Sequence, residues 1–188
     1  MDQIKVGLTG NLTAYTFTDR NGATVIGAQV AYNGQPAGYT SSPQEAINYV
    51  DARDNDTLFD ALTDKLPVAT SMADRIRMQT LALSTTALIQ QKLSFPGCGP
   101  SATPGVIVMR IDDTVGPNVD PALKGMVIVF NASAQATAQP VAAAAGRHFA
   151  LSRIQTRGSD PVVKTSTFAS WTGAFTVPAR TVAVFVSR

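Results

Sequence analysis

Apolar residues in the second half of the chain come in short runs separated by turn residues: VIVMRI, GMVIVFN, RHFALS, PVVKTSTF, AFTVP and TVAVFV. Runs of this length, rich in β-branched and aromatic residues, predict strands, and their spacing predicts an antiparallel β-sandwich. Residues 127–130 are apolar without alternation, which predicts a strand buried on both faces. Upstream the period changes. Residues 72–92 hold no Gly or Pro and place Ile76, Leu81, Leu83, Leu88 and Ile89 broadly on one side, predicting a helix whose apolar face needs a partner. The stretch INYVDARDNDTLFDAL reads as a short buried strand at 47–50 running into another helix. Before it, Ser42, Pro43 and Glu45 have the spacing of a capping box with proline at the first helical position. Residues 1–40, rich in Gly, Thr and Asn, predict loop or weak hairpin, with RNG and YNG as turns. FPGCGPSATPG, at 95–105, carries three Pro and three Gly in eleven residues and ends any helix there. The expected class is α+β, divided near residue 95.

With 188 residues, 45% of them hydrophobic, the chain can bury a core. A net charge of +2 with no basic run longer than a pair gives nothing to hold a phosphate backbone, so nucleic acid is not an expected partner. The single Cys98 and single His148 cannot build a Cys/His zinc site, and no metal or other cofactor is expected; one cysteine also forms no intrachain disulfide. The opening MDQIKVGLTGN lacks the apolar core of a signal peptide, and no stretch reaches the roughly 18 apolar residues of a membrane span. The expectation is a soluble chain with no membrane partner.

Candidate chemistry concentrates in one place. Asp51, Asp54, Asp56 and Asp60 fall within ten residues, with Arg53 among them. Carboxylates this close at a strand end commonly form a solvated turn or an arginine-paired cluster, whereas catalysis needs a defined mutual geometry. Glu45 is the only glutamate, and a helix N-terminus would favour its ionised form, the opposite of what a general acid requires. Trp171, Tyr32, Tyr39 and Tyr49 could present faces to sugar rings, although packing in a core or interface is the simpler expectation. Cys98 reads as a loop thiol and His148 as a structural or surface residue within a strand. The triplets at Asn11, Asn55 and Asn131 match the glycosylation pattern, which is common by chance.

YNGQPAGYTSSPQEAINYVDARDNDTLFDALTDKLP followed by ADRIRMQTLALSTTAL resembles the later barrel portion of bacterial pullulanase-type α-1,6-glucosidases, of the α-amylase family of glycoside hydrolases. PGVIVMRIDDTVGPNVDPALKGMVIVFNAS through FTVPARTVAVFV resembles the C-terminal β-sandwich of the same enzymes. The resemblance implies an incomplete (β/α) barrel segment over 1–95 and a C-terminal β-sandwich over 96–188. It implies α-glucan, such as pullulan or branched starch, as the partner, and a family that is often secreted. Asp54 matches the aspartate that stabilises the transition state, with Arg53 and Asn55 beside the substrate. Arg53 stands where the family has a sugar-contacting histidine, and Asp56 where it has a glutamate. The strands bearing the nucleophile and the general acid would lie upstream of this sequence, and the chain passes from STTAL to IQQKLSFPG as though a segment were missing at about residues 88–89. The chain alone is therefore expected to be inactive. An uncovered barrel-derived surface is expected to make residues 1–90 more protease-sensitive, or to be covered by self-association or a missing barrel partner.

Overall fold

In the computed structural model, residues 1–52, 54–87, 93–116 and 120–188 are described. The N-terminal part contains helix α1 (Asp2–Leu8), hairpin strands β1 (Thr16–Thr18) and β2 (Thr24–Ile26), and the shorter pair β3 (Ala31–Tyr32) and β4 (Gln35–Pro36). Two helices follow, α2 (Leu58–Lys65) and α3 (Met72–Ala87). The remainder holds β5 (Leu93–Ser94), β6 (Val106–Asp112), β7 (Gly125–Asn131), β8 (Thr137–Pro140), β9 (Ala150–Leu151), helix α4 (Arg153–Arg157), β10 (Thr167–Ala169), β11 (Ala174–Val177) and β12 (Thr181–Ser187). The secondary structure mixes helix with antiparallel sheet.

Successive residues of β7 serve different cores, because side chains alternate across a strand. In the five-stranded sheet β5-β6-β7-β12-β9 every neighbouring pair is antiparallel. Its register sets Ile107 opposite Phe130, Met109 opposite Ile128 and Val182 opposite Phe130 on one face, and Val108 opposite Val129 and Phe185 opposite Val127 on the other. The second face meets the three-stranded sheet β10-β11-β8, and Val127, Val129, Phe185, Phe175 and Val177 form one buried cluster between the two layers. Phe175 is its hub, with ring centroids 4.6 Å from Phe168 and 4.9 Å from Phe185. The first face is covered by the N-terminal part: Val6, Leu8 and Phe17 pack with Ile107, Met109, Ile128, Phe130 and Val182. The apolar run at 127–130 thus has the double burial that its lack of alternation predicted. One hydrophobic cluster crosses the expected division near residue 95.

Local chemistry explains most elements. The RNG and YNG turns close β1-β2 and β3-β4, and Asn33 and Gly34 take the left-handed φ values of 49° and 79° that a tight hairpin turn demands. Thr57 caps α2, accepting from Asp60 N at 3.2 Å and donating to the Asp60 carboxylate at 2.7 Å. Ser71 does the same for α3 with Asp74, at 3.1 and 3.0 Å. The helix expected over 72–92 is present as α3 to Ala87, while 88–92, with the expected junction at 88–89, lies outside the described residues.

Several expectations are corrected. Residues 47–50 form no strand: Ile47 is 89% exposed and Tyr49 68%. An extended segment needs a neighbour for its backbone groups, and none of the described residues pairs with it. Residues 2–8, expected as loop, form α1, because burying Val6 and Leu8 against the sheet outweighs the helix-weakening Gly7. The expected capping box at Ser42 opens only a single 3-10 turn, Pro43–Glu45, in which the Glu45 carboxylate accepts from Ser41 N at 3.1 Å and Ser42 caps nothing. In RHFALS only Ala150–Leu151 pair, leaving His148 exposed ahead of the strand. In PVVKTSTF the middle is a 3-10 turn, Val163–Thr165, and only Thr167–Ala169 is strand. Among the described residues no helix is long and apolar enough to cross a membrane.

Candidate functional site

The acidic stretch sits where the chain enters α2. Asn55 N donates to Ala52 O at 3.1 Å. The Asp51 carboxylate accepts from Leu58 N at 3.1 Å, one of the unpaired amides at the start of α2. Asp60 is engaged with Thr57. Two of the four carboxylates therefore organise the helix start. Asp54 and Asp56 are exposed, as are Asn55 and Thr57. Arg53 lies outside the described residues.

Asp51, Ala52, Asn55 and Thr57 line a shallow open concavity of about 330 Å³. Three of these four side chains are polar, so hydroxyl-bearing ligands suit it better than apolar ones. Asp54 is not among the lining residues. Glu45 is held by Ser41 N in its own turn. Asp74, which pairs with two arginines, belongs to the fold: it meets Arg77 at 2.6 Å and Arg180 at 2.8 Å, joining α3 to the turn before β12. Hydrogen bonds from Arg77 and then Ser71 hold its carboxyl below the usual 3.8. No group of three or more His, Cys, Asp or Glu among the described residues is placed to hold a metal ion.

The other candidates are scattered. Cys98 lies in the loop after β5 with its thiol donating to Phe95 O at 2.7 Å. None of the aromatics expected in a core or an interface lies in the core: Tyr32 is 56% exposed, Tyr39 67%, Tyr49 68% and Trp171 85%. An uninterrupted apolar supply from the β-branched strands fills both cores, leaving these rings outside. Sequence reasoning missed the caps of α2 and α3. Their signal, Thr or Ser followed three residues later by Asp, is present in TLFD and SMAD.

The architecture is one of mixed helix and antiparallel sheet, with a helical segment leaning on the larger of two layered sheets. The family model for pullulanase-type alpha-1,6-glucosidases, C-terminal, matches residues 68–188, and the chain belongs to that family. The chloroplastic pullulanase 1 of Arabidopsis thaliana is 26% identical over 293 aligned residues, covering 98% of this chain and 30% of that protein. A pullulanase of Klebsiella pneumoniae is 39% identical over 89 residues, covering 47% of this chain and 8% of its own length. Among solved structures, ligand-free PulA from Klebsiella pneumoniae superposes with a TM-score of 0.87 at 22% identity, covering 98% of this chain and 27% of that one. The maltotriose complex of PulA from the same organism gives 0.86 at 20% identity, covering 100% and 32%. The chain thus spans less than a third of the length of these relatives.

Proposed function

We propose that the chain is a truncated homologue of a pullulanase-type α-glucan debranching hydrolase, acting in its relatives on α-1,6-glucosidic bonds, and that it lacks a complete active site of its own. In this reading residues 1–95 derive from a catalytic barrel and now lean on the sheets of 96–188, which are the C-terminal domain. The observation that carries the reading is the state of the acidic stretch. Retaining hydrolysis needs two carboxyl groups about 5–5.5 Å apart, one as nucleophile and one as proton donor. Asp51 is tied to the α2 amide, Glu45 to its own turn, and Asp54 stands on an exposed turn beside the concavity rather than in it. A lone carboxylate in water offers little of the stabilisation that a preorganised, water-excluded cleft provides. The alignment with the Arabidopsis protein supports the loss of an internal segment: 293 aligned positions against 98% of a 188-residue chain leave about a hundred present in the relative alone. Arg53, Asp54 and Asn55 are then the surviving edge of a sugar-binding site.

Purified chain should release no reducing ends from pullulan above a blank, and Asp54→Ala should change nothing. Turnover that disappears in the Asp54 variant would overturn the reading. A second reading, a non-catalytic module that binds α-glucan weakly, is favoured by the intact double layer of sheets and by the exposed aromatic residues.

A further inference from the structure

Trp171 is the only tryptophan of the chain and is 85% exposed, the most exposed aromatic residue in the structure. It stands at the tip of the β10-β11 hairpin, which is held firmly. Gly173 N donates to Ala169 O at 2.9 Å, and the Thr172 hydroxyl to the same carbonyl at 3.3 Å. Ala174 N in turn donates to the Thr172 hydroxyl at 3.3 Å. The tip is also clamped to the 141–147 segment: Val141 N donates to Gly173 O at 3.0 Å and Gly146 N to Ser170 O at 2.8 Å. Gly173 has φ +69°, and a Cβ there would lie 2.5 Å from Val141 O, so only glycine lets the two segments close. Beneath the tip, Phe168 packs on Phe149 and Phe175 with centroids at 5.4 and 4.6 Å. A large ring is thus carried into water on a well-anchored stretch of backbone.

The surroundings say what such a ring suits. Ser170, Gly146 and Arg147 are exposed beside it, and Arg147 forms no ion pair among the described residues. An apolar protein partner would want a contiguous patch around the ring, which these neighbours do not supply. A pyranose ring has an apolar face to lie on an indole and a rim of hydroxyls to meet polar groups. One residue beyond Arg147 an open cavity of about 420 Å³ begins, with His148, Arg153 and Arg188 among its lining, giving room and donors for further sugar units. We infer that Trp171, with Ser170 and Arg147, forms a surface site for a neutral α-glucan chain, distinct from the 51–57 stretch. The inference rests on the reading of the chain as an α-glucan-handling relative, and it concerns binding only.

The full chain should be retarded in a native gel containing amylopectin. Trp171→Ala should weaken that retardation roughly tenfold, while Trp171→Phe, which keeps a smaller ring, should fall between. Because Trp171 is the only tryptophan, its fluorescence should shift to shorter wavelength as maltotriose is added. Retardation undiminished in Trp171→Ala, with fluorescence indifferent to maltotriose, would overturn the site while leaving α-glucan binding intact. A parent chain that is not retarded at all would overturn both the site and the binding reading, without touching the proposal about hydrolysis, which the reducing-end assay decides.

Discussion

Tyr15 joins three parts of the chain. Its hydroxyl donates to Leu93 O at 2.7 Å at the edge of the large sheet, and its ring lies 6.0 Å from both Phe17 and Phe95. Its phenol is pushed up to about 12, chiefly by burial and then by Cys98. The folded state therefore keeps a proton that an unfolded tyrosine loses around 10.0. This contribution to stability is complete below pH 10 and is lost as pH rises through about 12. Tyr15→Phe should cost about 0.5–1.5 kcal/mol at neutral pH, the value of a hydrogen bond, and should flatten the loss of stability between pH 10 and 12 in urea melts. Equal alkaline sensitivity in both proteins would count against this role. Nothing around AYTFT in the sequence marks Tyr15, because its partner lies 78 residues away. The caps at Thr57 and Ser71 were legible, since their chemistry is local.

The elements differ in how well they are held. Helix α3 docks through Arg75, which is 9% exposed with its Nε donating to Thr70 O at 3.2 Å, and through the Asp74–Arg180 pair at 2.8 Å. Its apolar residues do not share one covered face: Leu81 packs at the edge of the first cluster, whereas Ile76 is 56% and Leu83 47% exposed. The segment before it is barer still, with Ile47 at 89% and Val68 at 97%. The first forty residues, by contrast, cover the sheet. Sensitivity expected over 1–90 should therefore narrow to about 41–71, because local opening is cheapest where few apolar contacts must break. Limited thermolysin digestion should cut there first and leave 1–40 associated with the sheets. Equally fast cleavage within 1–40 would refute it. The periodicity of 72–87 identified a helix but not its buried side, which a tertiary ion pair and an arginine help to set.

At the scale of the molecule, the large sheet has two apolar faces and needs two covers. A fragment of residues 104–188 should give a strand-dominated circular dichroism spectrum, since both sheets are largely contained in it. It should also associate in solution, because removing 1–40 bares Ile107, Met109, Ile128, Phe130 and Val182 together. A monodisperse fragment would show that the N-terminal cover is dispensable. The sequence by itself determined the strands β6, β7, β11 and β12, the hairpin turns and the double burial of 127–130, because alternation, turn chemistry and β-branching act over a few residues. It also carried the family, through motifs contiguous in the chain. Only the tertiary structure decided that residues 2–8 are helical, that 47–50 are not a strand, and that Trp171 stands outside the core. Each depends on which distant surface is present to bury or pair with the segment: the sheet is there for Val6 and Leu8, and among the described residues no neighbouring strand is there for 47–50.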